Sequence, residues 1–307
     1  MYYFLVNKTS GKNSAKDITG TIRKLCEAAG AEYRIYSTGY EGRTDELYGK
    51  IEGMDDPDKK VIIAGGDGTI NVAVNAFNDL SGIKLGIIPR GSGNDFLRGL
   101  KITGTPEEIL GSILENDSYT PVDIGKVTLD ETKSRLFAVS SGFGLDAIVC
   151  DKVDSSKLKK FLNIFHLGSL AYTIKTVATL FSMRTFTASV KNDNGEFKVN
   201  KVIYSAQMNT PYEGGGVPMA PSASAVDGKL SVCMGAGVAK IKTFFFLPLL
   251  IKAKHEKIKC FRLFDSSRIH YELSEPVAVH TDGEYLGEFS DIAYEILPGK
   301  LKLLNPL

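Results

Sequence analysis

Two glycine-rich segments contain the residue types that bind a phosphorylated ligand. Residues 65–69 read Gly-Gly-Asp-Gly-Thr after one apolar run, and residues 89–96 read Pro-Arg-Gly-Ser-Gly-Asn-Asp-Phe after the next. Glycine lets backbone N–H groups approach a bulky anion, and a helix starting after such a loop adds partial positive charge. An aspartate there would repel phosphate directly, so a magnesium-bound water is its expected partner. A tight strand–helix turn is the alternative interpretation of the first segment.

Two later Asp-Gly pairs place further carboxylates at expected turns. Residues 282–284 read Asp-Gly-Glu, and an acidic pair near a cation can deprotonate a hydroxyl group that attacks phosphorus. Residues 227–230 read Asp-Gly-Lys-Leu and precede an apolar run. An ordinary turn is the favoured interpretation of each pair when it is taken alone.

A strand–helix alternation over the first 120 residues predicts the scaffold that positions the glycine-rich segments. Apolar runs typical of buried strands lie at residues 2–7, 32–37, 61–64 and 84–89. Repeated βα units form a parallel sheet with helices on both faces, and ligands bind at the carboxyl ends of its strands. The two segments, together with residues 7–12 after the first strand, are therefore expected to converge on one site.

After Pro121 the pattern changes to short strand-like runs, among them residues 136–141, 268–273 and 277–281, which predict an antiparallel β-domain. Residues 192–195, Asn-Asp-Asn-Gly, are typical of a hairpin turn. Helical stretches are expected at residues 158–183 and 239–254, and two final strands at 292–297 and 301–304 are expected to return to the first domain. The predicted domains are thus residues 1–121 with 292–307, and residues 122–291.

Composition limits the classes of protein that remain. The chain has 307 residues with 37 Lys and Arg against 36 Asp and Glu, a net charge of +1, which disfavours a protein built around nucleic-acid binding. The four cysteines form no C-x-x-C pair, and the four histidines show no metal-ligand spacing, so both sets are interpreted as structural. No signal peptide or membrane-spanning run is present in this sequence, which predicts a cytoplasmic location.

Two further motifs have competing interpretations. Residues 142–147, Gly-Phe-Gly-Leu-Asp-Ala, match a dinucleotide fingerprint but lie outside the βα half, so a packing turn is favoured. The apolar run 244–251 is flanked by six lysines and Arg262. It is interpreted either as a helix that covers the β-domain core or as a surface for peripheral contact with an anionic bilayer at the inner face of the membrane.

The ordered set of motifs resembles the diacylglycerol kinase catalytic-domain family, the soluble lipid kinases that include sphingosine and ceramide kinases. The resemblance begins with residues 65–69 and 91–96, continues through Gly142-Phe143, Ala220-Pro221 and residues 227–230, and ends at residues 281–284. It implies an α/β nucleotide-binding domain like those of NAD kinases and diacylglycerol kinases, followed by the β-rich second domain. Gly-Gly-Asp-Gly-Thr alone is shared with NAD kinases, whereas the full series is more specific.

The resemblance also implies the roles of individual residues. ATP would contact Asn7, Thr38, Gly65, Gly66, Asp67, Gly68, Thr69, Asn71, Gly91, Ser92, Asn94 and Asp95. Asp67 and Asp95 would hold the Mg²⁺–water network. A structural Mg²⁺ would lie at main-chain oxygens near Ser224, Asp227 and Lys229. Glu284 and Asp282 are equal candidates for the general base, with Asp67 as the outside choice.

The expected function is an ATP-dependent lipid kinase that phosphorylates a lipid hydroxyl, with diacylglycerol as acceptor and phosphatidate as product. Its role would be in phospholipid biosynthesis, with Mg²⁺ and a lipid as partners. Two alternatives remain open at this point. One is a soluble-substrate kinase such as an NAD kinase, and the other is a non-catalytic lipid- or nucleotide-binding protein of the same fold.

Overall fold

The computed structural model describes residues 1–7, 15–38, 44–116, 118–154, 180 and 182–305. The glycine- and lysine-containing loop 8–12 and most of the helix expected at 158–183 lie outside the described residues. The chain divides into two compact units. The first consists of Met1–Ile124, Ala225–Gly228 and Leu297–Leu307, and the second of Gly125–Ser224 and Lys229–Ile296.

The first unit is built on parallel strands that alternate with helices. Its elements are β1 (Tyr2–Asn7), α1 (Ala15–Ala28), β2 (Tyr33–Thr38), α2 (Thr44–Glu52), β3 (Lys59–Gly65), α3 (Asp67–Ala76), β4 (Ile83–Pro89), α4 (Asp95–Gly99) and α5 (Pro106–Glu115). The strand order is β4-β3-β1-β2, and every pair is parallel. The predicted parallel α/β sheet is therefore confirmed.

The apolar composition of these strands explains why they occupy the centre of the unit. Phe4, Leu5, Ile62 and Ile63 are fully buried, as expected for strands covered by helices on both faces. Thr105 caps the first turn of α5 in a complete capping box, because its side chain accepts the Glu108 N–H while the Glu108 carboxylate accepts the Thr105 N–H. The helix thus begins where the sequence signals its start.

The second unit is mostly antiparallel. Its elements are the end of β5 (Thr120–Leu129), β6 (Lys133–Phe137), β7 (Ser140–Gly144), α6 (Leu145–Asp154), β8 (Phe186–Asn192), β9 (Gly195–Met208), β10 (Leu230–Ala236), α7 (Lys240–Ile251), β11 (Phe261–Ser266), β12 (Arg268–Thr281) and the first part of β13 (Glu284–Leu303). Strands follow the order β11-β10-β9-β7-β12-β13, with β8 against β9 and β12. The predicted antiparallel β-rich second domain is confirmed.

Several strands differ in length from those expected. The expected strand at 136–141 is two strands, β6 and β7, whereas two expected strands at 268–273 and 277–281 are the single strand β12. A register shift between Glu272 and Val277 in the β12–β13 pairing accounts for that apparent break, because Pro276 lies inside the irregularity. Likewise β13 is one strand of 20 residues, and the first-unit residues Lys302 and Leu303 pair in parallel with Lys84 and Leu85 of β4.

Aromatic packing fills the core of the second unit. The rings of Phe143 and Tyr271 contact edge to face at 4.9 Å between centroids, and Tyr271 and Tyr294 do so at 5.9 Å. All three side chains are almost fully buried, and such pairs add about 0.5–1.5 kcal/mol beyond the burial of their area. This core fixes strands β7, β12 and β13, and the Asp-Gly-Glu segment at residues 282–284 lies where β12 turns into β13.

Candidate active site

Four strand ends of the first unit lie side by side in register. Asn7 pairs with Thr38 across β1 and β2, Val6 pairs with Ala64 across β1 and β3, and Gly65 pairs with Pro89 across β3 and β4. The loops that follow these strands therefore start at one edge of the sheet. The hydroxyl oxygen of Thr38 is buried there and has no hydrogen-bond partner within the described part of the chain, which is consistent with a polar ligand at this edge.

The loops after β3 and β4 contact each other through glycine backbone. A Cβ atom on Gly66 would lie 2.8 Å from the Gly91 Cα, and one on Gly91 would lie 2.7 Å from the Gly66 Cα. The Arg90 N–H also donates to the Gly65 carbonyl oxygen at 2.8 Å. Side chains at Gly66 and Gly91 would force the two loops apart, so glycine is required here for close approach and not for its freedom in φ.

Asp67 connects the first loop to the second. Its carboxylate accepts the backbone N–H of Asp95 at 3.0 Å and that of Phe96 at 3.1 Å, at the start of α4. Because each oxygen accepts one N–H, further lone pairs remain for a water molecule or a cation. Asp95 is buried and forms an ion pair with Arg98 at 3.0 Å.

The second loop is held in shape by Asn94. Its backbone adopts a left-handed conformation with φ of +50°, which asparagine tolerates well. Its side-chain oxygen accepts the Gly91 N–H and its amide nitrogen donates to the Gly91 carbonyl oxygen, both at 3.0 Å. The loop therefore keeps its form through its own residues.

The structure brings several of the expected nucleotide-binding residues together. Gly65, Gly66, Asp67, Gly91, Asn94 and Asp95 are linked by direct contacts. Thr69 packs its side chain back against Gly65, and Gly68 and Ser92 are exposed. Asn71 is fully buried inside α3, where its carbonyl oxygen accepts a hydrogen bond from the side-chain amide of Asn75.

Asp123 is a residue that sequence reasoning missed. It is buried at the end of the first unit's share of β5, and its carboxylate accepts the Gly228 N–H at 2.7 Å and the Gly299 N–H at 2.8 Å. Its own N–H donates to the Ala225 carbonyl oxygen at 2.7 Å. The signal in the sequence is a lone carboxylate between the apolar residues Val122 and Ile124.

The three residues expected near a structural Mg²⁺ lie on the chain segment that Asp123 holds. Asp227 belongs to the first unit and is exposed. Ser224, which is half-buried, and Lys229, which is exposed, belong to the second unit. The expected ligands are main-chain oxygens, which suit a hard cation such as Mg²⁺, so the donor types present fit the expected ion.

In the second unit, the carboxylate of Asp282 is engaged in hydrogen bonds to backbone N–H groups. Its carboxylate accepts the N–H groups of three consecutive residues, Ala138 at 3.0 Å, Val139 at 2.9 Å and Ser140 at 3.0 Å. Its own φ is +47° and its N–H donates to the Ser140 carbonyl oxygen at 2.8 Å. These four bonds fix the turn between β12 and β13.

Glu284 has a different environment at the other end of the same turn. Its carboxylate contacts the Arg135 guanidinium at 2.6 Å, and the Glu284 side chain is 45% exposed. An ion pair this exposed contributes about 0–1 kcal/mol to stability. Both residues are partly accessible, but the Glu284 carboxylate is held by a side chain and the Asp282 carboxylate by three backbone N–H groups.

A buried histidine lies beside this turn. The Nδ1 atom of His280 accepts the Gly283 N–H at 3.2 Å, while its Nε2 atom lies 3.3 Å from Asp146 Oδ2 and 3.5 Å from Glu213 Oε1. Since Nδ1 accepts, the proton of the neutral ring is on Nε2, facing the carboxylates. With the proton there, Nε2 donates to Asp146, and Glu213 lies close enough to form an ion pair when the ring is charged.

Residues 142–147, which match a dinucleotide fingerprint, have no such role here. Gly142 and Gly144 lie in β7, whose neighbours β9 and β12 are both antiparallel to it, so no parallel βαβ unit is formed. A Cβ atom on Gly142 would overlap Asp146 Oδ2 and lie 2.9 Å from His280 Nε2. The glycine makes room for the contact between Asp146 and His280.

A cavity of about 360 Å³ lies beside α7 in the second unit. Three cations line it, Lys242, Lys259 and Arg262, together with apolar side chains that include Phe246 and Ile258. All three cations are exposed. Within the described residues, none of the helices is both long enough and apolar enough to cross a membrane.

Comparison with known proteins shows that both parts of the chain match known domain families. Residues 1–127 match the model for the diacylglycerol kinase catalytic domain, and residues 138–305 match that for the YegS C-terminal NAD kinase beta sandwich-like domain. The Bacillus subtilis (strain 168) protein named "Putative lipid kinase YtlR" is 25% identical over 291 residues, covering 93% of this chain and 94% of that protein. A diacylglycerol kinase of the same organism is 28% identical over 286 residues, covering 92% and 89%.

Solved structures show the same fold at lower identity. A diacylglycerol kinase from Bacillus anthracis str. Sterne superposes with a TM-score of 0.76 at 22% identity, covering 99% of this chain and 96% of that one. An NAD kinase from Archaeoglobus fulgidus in complex with ATP superposes with a TM-score of 0.51 at 15% identity, covering 99% and 92%. These likenesses concern the fold.

Proposed function

Because the chain belongs to the kinase family that joins a diacylglycerol kinase catalytic domain to a YegS C-terminal domain, we propose that it transfers the γ-phosphoryl group of ATP to a lipid hydroxyl. Diacylglycerol is the proposed acceptor, since several relatives are named as kinases of that lipid. The observation that carries the proposal is the backbone contact between Gly66 and Gly91, bridged by Asp67. It joins two loops at the carboxyl ends of parallel strands.

The phosphates of ATP would lie against these two loops. Gly66 is the residue before α3. The Thr69 N–H donates to the Gly66 carbonyl oxygen, whereas the N–H groups of Asp67 and Gly68, in the first turn of the helix, can donate to phosphate oxygens. The absence of side chains at Gly66 and Gly91 leaves the backbone open to a close approach. Thr38, with its buried hydroxyl, would contact the nucleoside end.

Asp67 and Asp95 are the residues proposed to hold Mg²⁺ through water. The donor set fits, since Asp67 keeps lone pairs beyond its two bonds to backbone N–H groups. The ion would supply charge neutralisation at the transferring phosphate. The residues of the chain supply position: the N–H groups of Asp95 and Phe96 hold the Asp67 carboxylate in one orientation, and the same bonds hold the two loops together.

A second Mg²⁺ is proposed at the Asp-Gly-Lys-Leu segment, with oxygen ligands from Ser224, Asp227 and Lys229. Support comes from Asp123, whose carboxylate holds Gly228 by its N–H group and thereby fixes the backbone next to Asp227. The proposed role of this ion is structural.

We infer that Glu284 is the general base. A base must reach the hydroxyl proton of the acceptor, and both oxygens of Asp282 are already used by three backbone N–H groups. Glu284 is half exposed, and its contact with Arg135 restrains its orientation. Asp282 is then the residue that fixes the turn from which Glu284 projects.

Transfer of label from γ-labelled ATP tests this function. The purified protein is incubated with Mg²⁺ and a panel of lipids in mixed micelles, with NAD in a parallel reaction. Labelled phosphatidate from diacylglycerol is the expected product, and a different labelled lipid would correct the acceptor but not the reaction. Formation of NADP in the absence of lipid labelling would refute the proposal.

We propose that the segment around α7 docks on an anionic bilayer, where the acceptor resides. Exposed Ile251 lies among exposed cations, and the cavity lined by Lys242, Lys259 and Arg262 combines positive charge with apolar walls. Anionic phospholipid complements both properties, because its headgroup carries the charge and its acyl chains supply the apolar surface.

Charge reversal tests this docking. Changing Lys242, Lys259 and Arg262 to glutamate is expected to lower partition into phosphatidylglycerol vesicles by about 100-fold at low salt, because each basic residue near an anionic surface contributes about 1 kcal/mol. Sedimentation with vesicles measures the effect. The control reverses three exposed cations of the first unit, Arg23, Lys24 and Lys50, and equal losses in both variants would contradict the assignment.

A further inference from the structure

His280 is fully buried at the end of β12, and both of its ring nitrogens have defined partners. Nδ1 receives the N–H of Gly283, the central residue of the Asp-Gly-Glu turn, at 3.2 Å. Nε2 faces Asp146 at 3.3 Å and Glu213 at 3.5 Å. The ring therefore connects two carboxylates on one side to the turn that carries Glu284 on the other.

The space for this connection depends on Gly142. Any side chain at that position in β7 would overlap the carboxylate of Asp146, the second residue of α6, and would crowd Nε2 of the ring. Asp146 also accepts the N–H of its neighbour Ala147 at 2.8 Å, which restrains its carboxylate. Because Gly142 in β7 has no Cβ atom, Asp146 in α6 can contact His280 in β12, the strand that pairs with β7.

We propose that His280 is a positioning residue for the candidate base: its Nδ1 atom holds the Gly283 amide and so fixes where Glu284 begins β13. This inference rests on the proposed function, because it assigns a purpose to the turn through Glu284. It goes beyond that function by giving a role to a histidine, an aspartate and a glutamate that the transfer reaction does not itself require.

The protonation state of the His280 ring decides whether its Nδ1 atom can accept the Gly283 N–H. Burial lowers the pKa of His280, but the hydrogen bond and charge of Asp146, followed by the charges of Glu213 and Asp282, outweigh it and raise the pKa to about 9. A second proton can go only to Nδ1, and Nδ1 then no longer accepts the Gly283 N–H. Protonation and the bond to Gly283 exclude each other.

The sign of the pH dependence follows from this exclusion. As the pH falls through the pKa of His280, the ring becomes an imidazolium and releases the Gly283 amide. The kcat of the kinase is therefore expected to fall as the pH drops through the pKa of His280, which its carboxylate neighbours raise to about 9. Glu213→Gln removes a charge that favours the imidazolium, so it is expected to move the midpoint to lower pH.

Two amide substitutions separate the roles of the two nitrogens. Asparagine at position 280 places an oxygen near the Nδ1 position and can still accept from Gly283, whereas glutamine reaches the Nε2 position. His280→Gln is expected to lower kcat by about 10- to 100-fold with an unchanged KM for ATP, since a small misplacement of a reacting group has effects of that size. His280→Asn is expected to keep kcat within about five-fold of the wild type. The fall in kcat at low pH should be absent in this variant.

The matched control is His270→Asn. His270 lies in the same strand and also pairs with a carboxylate, that of Asp291 at 3.0 Å, but it is partly exposed and distant in sequence from the turn. No change in kcat or in its pH profile is expected for this variant. A loss in His270→Asn equal to that in His280→Gln would overturn the assignment.

NMR on the full chain gives a readout that does not depend on activity. The Gly283 amide resonance is expected to titrate with the same midpoint as the His280 ring, and this titration should be absent in His280→Asn. A pH-independent Gly283 amide would overturn the proposal even if the kinase assay succeeds. Failure to phosphorylate any lipid would refute the proposed function, while the Gly283 titration would still decide the contact. A Gly283 titration without a matching change in kcat would overturn the positioning role alone.

Discussion

Asp67→Asn is expected to lower ATP turnover by about a thousand-fold while the protein remains folded. Loss of the charge removes the proposed contact with magnesium-bound water, and loss of one preorganised electrostatic group typically has an effect of 100- to 1,000-fold on kcat. Asparagine keeps one oxygen that can accept from Asp95 or Phe96, the two N–H groups that Asp67 now binds. The contact between the two loops should therefore persist in part.

The measurement is label transfer to lipid under saturating ATP, accompanied by thermal unfolding. Asp79→Asn is the matched control, because Asp79 also caps a short helix by accepting a backbone N–H, that of Ser81 at 2.9 Å, but is exposed and lies outside the two loops. Its kcat should equal that of the wild type. Near-normal turnover in Asp67→Asn would show that the loop contact is structural and that the proposed nucleotide site is wrong.

Glu284→Gln is expected to lower activity, whereas Asp282→Asn is expected to lower stability. Removal of a general base usually lowers kcat by about 100- to 10,000-fold, so Glu284→Gln should lose activity. Its stability should change by less than about 1 kcal/mol, because the ion pair with Arg135 is exposed. Asp282→Asn should instead unfold more easily, since an amide has one accepting oxygen for three N–H groups and each unsatisfied group costs about 1–3 kcal/mol.

Kinetics and urea unfolding of the same samples check this distinction. Glu295→Gln is the matched control, because Glu295 lies in the same strand and pairs with Lys126 at 2.8 Å in a similarly exposed ion pair. Neither its kcat nor its stability should change appreciably. Should Asp282→Asn lose activity at full stability while Glu284→Gln stays active, the base would be Asp282.

The first unit could be predicted closely from the sequence because its contacts follow local rules. Apolar runs separated by helices lead to parallel strands, and parallel strands bring their loops to one edge without any further information. The glycines at 66 and 91 could be placed on those loops, although the direct contact between them could not. That contact depends on the register of β3 and β4, which pairs Gly65 with Pro89.

The second unit was harder to predict from the sequence, because its decisive contacts join residues that are far apart in the chain. Asp282 binds N–H groups that precede it by 142 to 144 residues, and Arg135 precedes Glu284 by 149. An Asp-Gly pair that organises three backbone amides looks the same in sequence as one that closes a plain hairpin. The interpretation of all four histidines as structural likewise missed the distinction between His280, which is enclosed by carboxylates, and His270, which lies at the surface.

The first unit is assembled from three separate pieces of the chain, and this limits how the protein can be dissected. A fragment that ends at Ile124 would lack Leu303, which pairs with Leu85, and Asn305, whose side chain bonds both the N–H and the carbonyl oxygen of Ile87. The edge of β4 would then be open to pairing between copies, a common route to aggregation. An autonomous version of this unit would need circular permutation that joins the final strand ahead of β1.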